Sequence, residues 1–137
     1  MKKTVLNETH QALGAKMIDF SGWSMPLHYG SQITEHNAVR DSVGLFDVSH
    51  MSVFDFTGKN QDAYFRQLLA NDIQKINAQK KSLYSLVVNE SGGIIDDLIV
   101  YKLDDRYRIV SNSATMAKNE AWFKQNIKSF DVGIKRR

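Results

Sequence analysis

The sequence predicts an α+β fold in which an antiparallel sheet is flanked by helices. Residues 82 to 112 contain three β-like runs, SLYSLVVN, IIDDLIVYKL and RYRIVSN, separated by ESGG and by Asp104-Asp105. Close reversals at those breaks join the runs into a meander. Segments with apolar residues at helical spacing precede and follow it. The chain has 137 residues, 42% apolar and 24% charged, which suits one globular core and excludes a disordered or fibrous protein.

Taken in order, residues 10 to 30 combine Gly14, Gly22, Pro26 and Gly30 with Phe20, Trp23 and Tyr29. They are predicted to form an ordered, aromatic-rich loop rather than a helix or strand. Ser31 then opens a short helix to about Val43. A strand follows over 49 to 57, where Phe54 and Phe56 alternate with Val53 and Asp55, and Gly58 closes it. Asn60 can cap the free amides of a second helix that carries Tyr64, Phe65 and Leu68 to about Ala70. In the meander, Gly92 and Gly93 can take the positive φ of a tight reversal, and Asp104-Asp105 forms a two-residue turn. A last helix starts at 113 to 115 and runs through Met116, Trp122, Phe123 and Ile127 to about Lys128. With no linker composition and no repeat, residues 1–137 read as one continuous unit.

Charge and composition exclude several functions. The net charge is +3, from 18 basic and 15 acidic residues, and Lys135, Arg136 and Arg137 alone account for the excess. Lys75, Lys80, Lys81, Arg106 and Arg108 alternate with acids and amides instead of forming an aromatic-flanked stripe, so no nucleic-acid partner is expected. The absence of cysteine excludes disulfides, thiolate metal sites and cysteine nucleophiles, and points to a reducing, cytoplasmic location. Apolar runs are short and MKKTVLNETH lacks a signal core, so no membrane association is expected. His10, His28, His36 and His50 follow no metal-ligand spacing, and no metal is expected. Asp47, Ser49 and His50 hold hydrolase residue types, but strand neighbours face opposite sides, and capping and packing explain them better. Gly92-Gly93 precedes a strand, not a helix, and so does not read as a phosphate loop.

One place stands out chemically. Along a strand, Ile95, Asp97, Ile99 and Tyr101 share one face, while Ile94, Asp96, Leu98 and Val100 share the other. Each face thus receives one carboxylate among apolar neighbours, and an unpaired buried carboxylate costs several kcal/mol. At least one acid must be paired, protonated or at a cavity. Two readings stand. Either an acid lies at the strand's frayed start or is satisfied by backbone amides or a lysine, or a carboxylate is held at a pocket for proton transfer. Met17, Met25, Met51, Trp23 and Tyr84 can line a pocket for a planar heterocycle, and core packing accounts for them equally well.

Several longer segments extend this reading: DFSGWSMPLHYGSQITEH at 19 to 36, VGLFDVSHM at 43 to 51, LLANDI at 68 to 73, LYSLVVNESGGIIDDLIVY at 83 to 101 and VSNSA at 110 to 114. In series they resemble the aminomethyltransferase, or T-protein, family of the glycine cleavage system across essentially the whole chain. The resemblance implies a tetrahydrofolate-dependent transferase. It takes an aminomethyl group from the lipoyl arm of the H-protein, releases ammonia and leaves 5,10-methylenetetrahydrofolate. It further implies that Asp97 is the acid placed against the reactive folate nitrogens, that Met51 and Tyr84 line the pterin site, and that Asn112 is a further pocket position. Asp96 reads as structural.

Members of that family are longer, and later segments complete their folate pocket. The chain is therefore expected to be a fragment, a truncated frame or an excerpt, a partial folate-binding domain without the rest of that domain or the C-terminal barrel. Uncovered apolar surface near the meander or the last helix, with self-association through it, is the expected consequence. Two alternatives remain: a non-catalytic folate-fold fragment or interaction module, and the folate domain of demethylating flavoenzymes, although no flavin-binding glycine motif occurs.

Overall fold

The computed structural model describes residues 1–76 and 82–137; the expectation of alternating surface charge at Lys80 and Lys81 lies outside them. The chain divides into two compact units, Met1–His50 and Met51–Arg137. Among the described residues, no helix is long and apolar enough to cross a membrane, and no cluster of three or more potential metal ligands occurs.

The first unit comprises β1 (Lys2–Lys3), α1 (Asn7–Ala12), β2 (Lys16–Phe20), β3 (Trp23–His28) and α2 (Gln32–Asp41). Its sheet has the order β1-β3-β2, with β1 parallel and β2 antiparallel to β3. This corrects the loop predicted for residues 10 to 30, most of which are helix or strand. Ser21 and Gly22 both take positive φ, 53° and 84°, the conformation that a two-residue hairpin turn requires. Asp19 Oδ1 accepts from the Gly22 amide at 2.7 Å, which locks the reversal. Pro26 is tolerated because β1 reaches only Trp23 and Ser24, so beyond them β3 has a neighbour on one side alone.

Ser31 caps α2 as its sequence position suggests, accepting from the Thr34 amide at 3.3 Å. The helix buries no residue. Leu27, Ile33, Val39, Val43, Leu45 and Phe46 are all exposed. Exposed large apolar side chains thus occur in the first unit, which the prediction did not name, as well as near the meander, where Tyr84, Ile94 and Tyr101 are exposed among the described residues.

In the second unit, β4 (Ser52–Thr57), α3 (Gln61–Leu68) and a 3-10 turn at Ile73–Ile76 precede the meander β5 (Ser82–Val88), β6 (Ile94–Lys102) and β7 (Tyr107–Ser111). The helix α4 (Met116–Asn126) and a short strand β8 (Gly133–Arg136) follow. The five strands form an antiparallel sheet of order β5-β6-β7-β4-β8. Asn60 precedes α3 but makes no side-chain cap; its Oδ1 accepts from the Asp131 amide instead, at 3.2 Å. Of the two turn glycines, only Gly92 uses positive φ. A Cβ at Gly93 would come within 2.8 Å of the Asn89 side-chain amide, which would have to shift.

Period-two alternation gives the sheet two different faces. One carries Phe54, Phe56, Leu83, Val87, Leu98, Val100, Tyr107 and Ile109, all buried with Tyr64, Phe65 and Leu68 of α3 and Phe123 of α4. The Tyr64 hydroxyl ties the helices by donating to the Phe123 carbonyl at 3.0 Å. The opposite face carries Val53, Leu86, Asp97, Ile99 and Val110, all half-buried, with Tyr84 and Tyr101 exposed, whereas half-buried Ile95, at the irregularity between β5 and β6, packs against the core cluster.

At one end of this open face, the buried Asp55 carboxylate binds Arg108 at 2.7 and 2.9 Å and Arg137 at 2.7 Å. The Arg106 guanidinium lies at 3.4 Å. Hydrogen bonding from Arg108, against the cost of burial and with help from Arg137, lowers its pKa from 3.8 to about 2. A carboxyl shifted down adds stability that is fully present above pH about 4 and is lost as pH falls through about 2. Because the arginines are partly solvated, the expected loss is of order 1–2 kcal/mol. Urea titrations at pH 4 and pH 2 measure it, and the difference should shrink in Asp55→Asn; equal pH dependence in both proteins would contradict this assignment.

Candidate functional site

The two adjacent acids of β6 have opposite environments. Asp96 points to the core face, where it is 9% exposed. The Thr115 hydroxyl donates to its Oδ2 at 2.5 Å, and the Asn119 amide donates to the same oxygen. Asn112 Nδ2 donates to its Oδ1 at 2.9 Å. Burial pushes the Asp96 carboxyl up, but the hydrogen bonds from Asn119, Thr115 and Asn112 together outweigh it and hold the group below the usual carboxylate range. Asp96 is thus satisfied chiefly by side chains of α4 and of the residues before it, rather than by the backbone amides or lysine of the alternative reading. The nearby Lys118 ammonium donates to the Ile95 carbonyl at 2.6 Å.

Asp97 lies half-buried on the open face beside Ile99. Its Oδ2 accepts from the Tyr84 hydroxyl at 3.1 Å, and its Oδ1 accepts from Asn112 Nδ2 at 2.9 Å. A carboxylate has about four lone-pair positions, so these two bonds leave acceptor capacity. Tyr84 is 58% exposed. Its hydroxyl is raised above the ordinary tyrosine value, first by the hydrogen bond to Asp97 and then by burial and the two carboxylate charges, which keeps it a donor.

Sheet register accounts for this convergence. Leu98 pairs with Ser111, so Asn112, the next residue, comes level with Asp97. Tyr84 pairs with Ile99, one diagonal step from Asp97 on the same face. Met51 is half-buried and immediately precedes Ser52, which also pairs with Ser111. The structure therefore brings Tyr84, Asp97 and Asn112 into direct hydrogen bonding and puts Met51 at the adjoining end of β4. A hollow of about 310 Å³ in the first unit, lined by Leu27, Gln32, Glu35, His36, Val39 and Phe46, contains none of the four.

Thr115 and Asn119 were not singled out from the sequence, although their spacing of one helical turn was a usable signal. Both sit on the side of α4 that also buries Phe123. A second polar cluster also escaped sequence reasoning. His10 Nε2 contacts Asp47 Oδ2 at 2.9 Å, and His10 Nδ1 contacts the Tyr29 hydroxyl at 2.6 Å. Burial pushes the Asp47 carboxyl up, but hydrogen bonds from His10 and Ser49 hold it well below the usual range. Asp47 also accepts from the Ser49 amide at 2.9 Å, a local cap, while His50 meets the edge of Phe20 at 5.6 Å.

Known proteins share this architecture. A family model described as the GCVT N-terminal domain matches residues 6–137. The aminomethyltransferase of Xylella fastidiosa (strain M23) is 53% identical over 138 residues, covering 100% of this chain and 38% of the relative. That of Legionella pneumophila (strain Corby) is 53% identical over 136 residues, covering 98% of this chain and 38% of the relative. The crystal structure of glycine cleavage system aminomethyltransferase T from Bartonella henselae superposes with a TM-score of 0.90 at 32% identity, covering 99% of this chain and 38% of that one. The chain thus spans well under half the length of these relatives. Together, the matched domain, the identities and the shared fold establish that this chain belongs to the aminomethyltransferase, or GCVT, family of the glycine cleavage system.

Proposed function

We propose that this chain carries part of a tetrahydrofolate-dependent aminomethyl transfer. A methylene unit passes from the aminomethyl-lipoyl arm of the H-protein to two nitrogens of tetrahydrofolate, its C–S and C–N bonds break, and the reduced lipoyl thiol and ammonia leave. Residues 1–137 contribute one portion of the folate-binding region. The observation that carries this reading is the Asp97 carboxylate, fixed between the Tyr84 hydroxyl and the Asn112 amide with open acceptor positions.

The chemistry of the residues fits a flat ring bearing N–H groups. Half-buried Ile99 offers apolar contact, the exposed Tyr84 ring offers a stacking edge, and Asp97 offers a charged acceptor. Tetrahydrofolate supplies the nitrogens that take up the methylene unit. Asp97 orients a folate N–H and receives the proton released as nitrogen forms its new bond. Tyr84 and Asn112 hold the two carboxylate oxygens still, so that little reorganisation accompanies proton transfer. Met51 contributes soft apolar surface at the margin.

The test combines the purified chain with tetrahydrofolate and aminomethyl-loaded H-protein and measures ammonia. Release above a folate-free control is the expected result. Folate binding without ammonia would reduce the chain to a binding module, and neither would leave fold membership alone. The apolar surface around Leu45 and Phe46 further leads us to expect self-association. Sedimentation should reveal species that grow with concentration; a clean monomer at high concentration, with no hydrophobic-dye binding, would refute it.

A further inference from the structure

We propose that Asp96 is a positioning residue: anchored by Thr115 and Asn119, it aims the Asn112 side-chain amide so that the same NH2 group donates to Asp97. This rests on the reading of Asp97 as the acid that meets folate.

The argument is one of donor counting. Asn112 Nδ2 has two hydrogens and two short carboxylate partners, Asp96 Oδ1 and Asp97 Oδ1, each at 2.9 Å. Turning the amide over would set its oxygen against both acids, so the orientation is enforced. Asp96 accepts on both oxygens, and its Oδ2 is occupied by Thr115 and Asn119. Thr115 is the residue before α4 and Asn119 is the fourth residue of that helix, while Asn112 follows β7. Asp96 therefore connects the helix start to the strand end that presents Asn112.

Asn119 shows how strongly this arrangement is favoured. It is 1% exposed, and its Oδ1 has no protein partner among the described residues. An orphaned buried carbonyl is costly, yet reversing the amide would place that oxygen against Asp96. Satisfying the carboxylate wins. The half-buried acid on the open face then receives a donor whose direction is set from the core side of the sheet.

Two variants test the proposal in this chain. In Asp96→Ala, Asn112 loses one of its two acceptors. Solvent exchange of both Asn112 side-chain amide protons, read by NMR, is expected to accelerate at least about tenfold, including the proton facing Asp97. Unchanged protection of that proton would overturn the proposal whether or not folate binds.

The exchange Asp96→Asn with Asn112→Asp restores a 96–112 hydrogen bond with its polarity reversed, but leaves Asp97 without its donor. We expect it to regain only part of the thermal stability that Asp96→Ala loses, because the carboxylate at 112 then faces that of Asp97, while tetrahydrofolate affinity stays at least about tenfold weaker than wild type. Wild-type affinity in this double variant would reduce Asp96 to a purely structural role. If the unmodified chain fails to bind tetrahydrofolate while the amide protection responds as expected, the folate reading falls and the positioning stands.

Discussion

Asp97→Asn is expected to fold normally and to lose most tetrahydrofolate affinity and turnover. The residue is half-buried on the open face and contributes nothing to the apolar cluster between the sheet and its helices. An asparagine oxygen can still accept from Asn112, and the Tyr84 hydroxyl can turn to accept from the new amide. What disappears is the negative charge. A hydrogen bond to a charged group contributes about 1.5–3 kcal/mol, so affinity should fall about tenfold to a hundredfold. Proton uptake at position 97 is also removed. Fluorescence titration with tetrahydrofolate, beside a thermal melt of the same sample, measures both effects. Affinity within twofold of wild type would remove Asp97 from the proposed role.

Phe56→Ala should have the largest effect on stability. Phe56 is fully buried in β4 and meets Tyr64 and Phe65 of α3 at 5.7 and 5.0 Å, and Phe123 of α4 at 5.6 Å. One ring thus joins the sheet to both helices. Truncation removes its transfer free energy and leaves a cavity that three aromatic neighbours cannot easily close, at a cost of about 3–5 kcal/mol. Against the few to fifteen kcal/mol typical of whole domains, that is enough to unfold a substantial population. The urea midpoint reports it directly. A loss below about 1 kcal/mol would mean that the aromatic cluster does not hold the helices to the sheet.

The part of the fold set by local pattern was legible in the sequence. The period-two alternation from Ile94 to Tyr101 assigned Asp96 and Asp97 to opposite faces, and the meander and its Asp104-Asp105 turn follow the same rule. The hairpin of residues 16 to 28 replaces the predicted loop because Gly22 serves its turn and Pro26 is accommodated in a strand that β1 does not pair there, so these residues punctuate short strands rather than a loop. The strand β8 is short and mostly polar; it forms because pairing with β4 satisfies its backbone.

Site partners were legible where register brings them together. Tyr84, Asp97 and Asn112 lie within one meander, and their convergence follows from pairing. Asp55 and Arg137 are 82 positions apart, and His10 and Asp47 are 37 apart. No local spacing encodes such contacts. The roles of Thr115 and Asn119 depended on α4 packing over the sheet with that helical face turned inward. The tool kit of residues was visible, but the long-range packing that selects among them was not.

The most direct measurement follows the side-chain amide signals of Asn112, and the ring signals of Tyr84, while tetrahydrofolate is added to the isotope-labelled protein. A folate ring seated on the Asp97 carboxylate must perturb both groups saturably, with one dissociation constant. Saturation that shifts residues around Phe46 and Val39 while Asn112 and Tyr84 stay fixed would put the ligand elsewhere and contradict the assignment of the open sheet face.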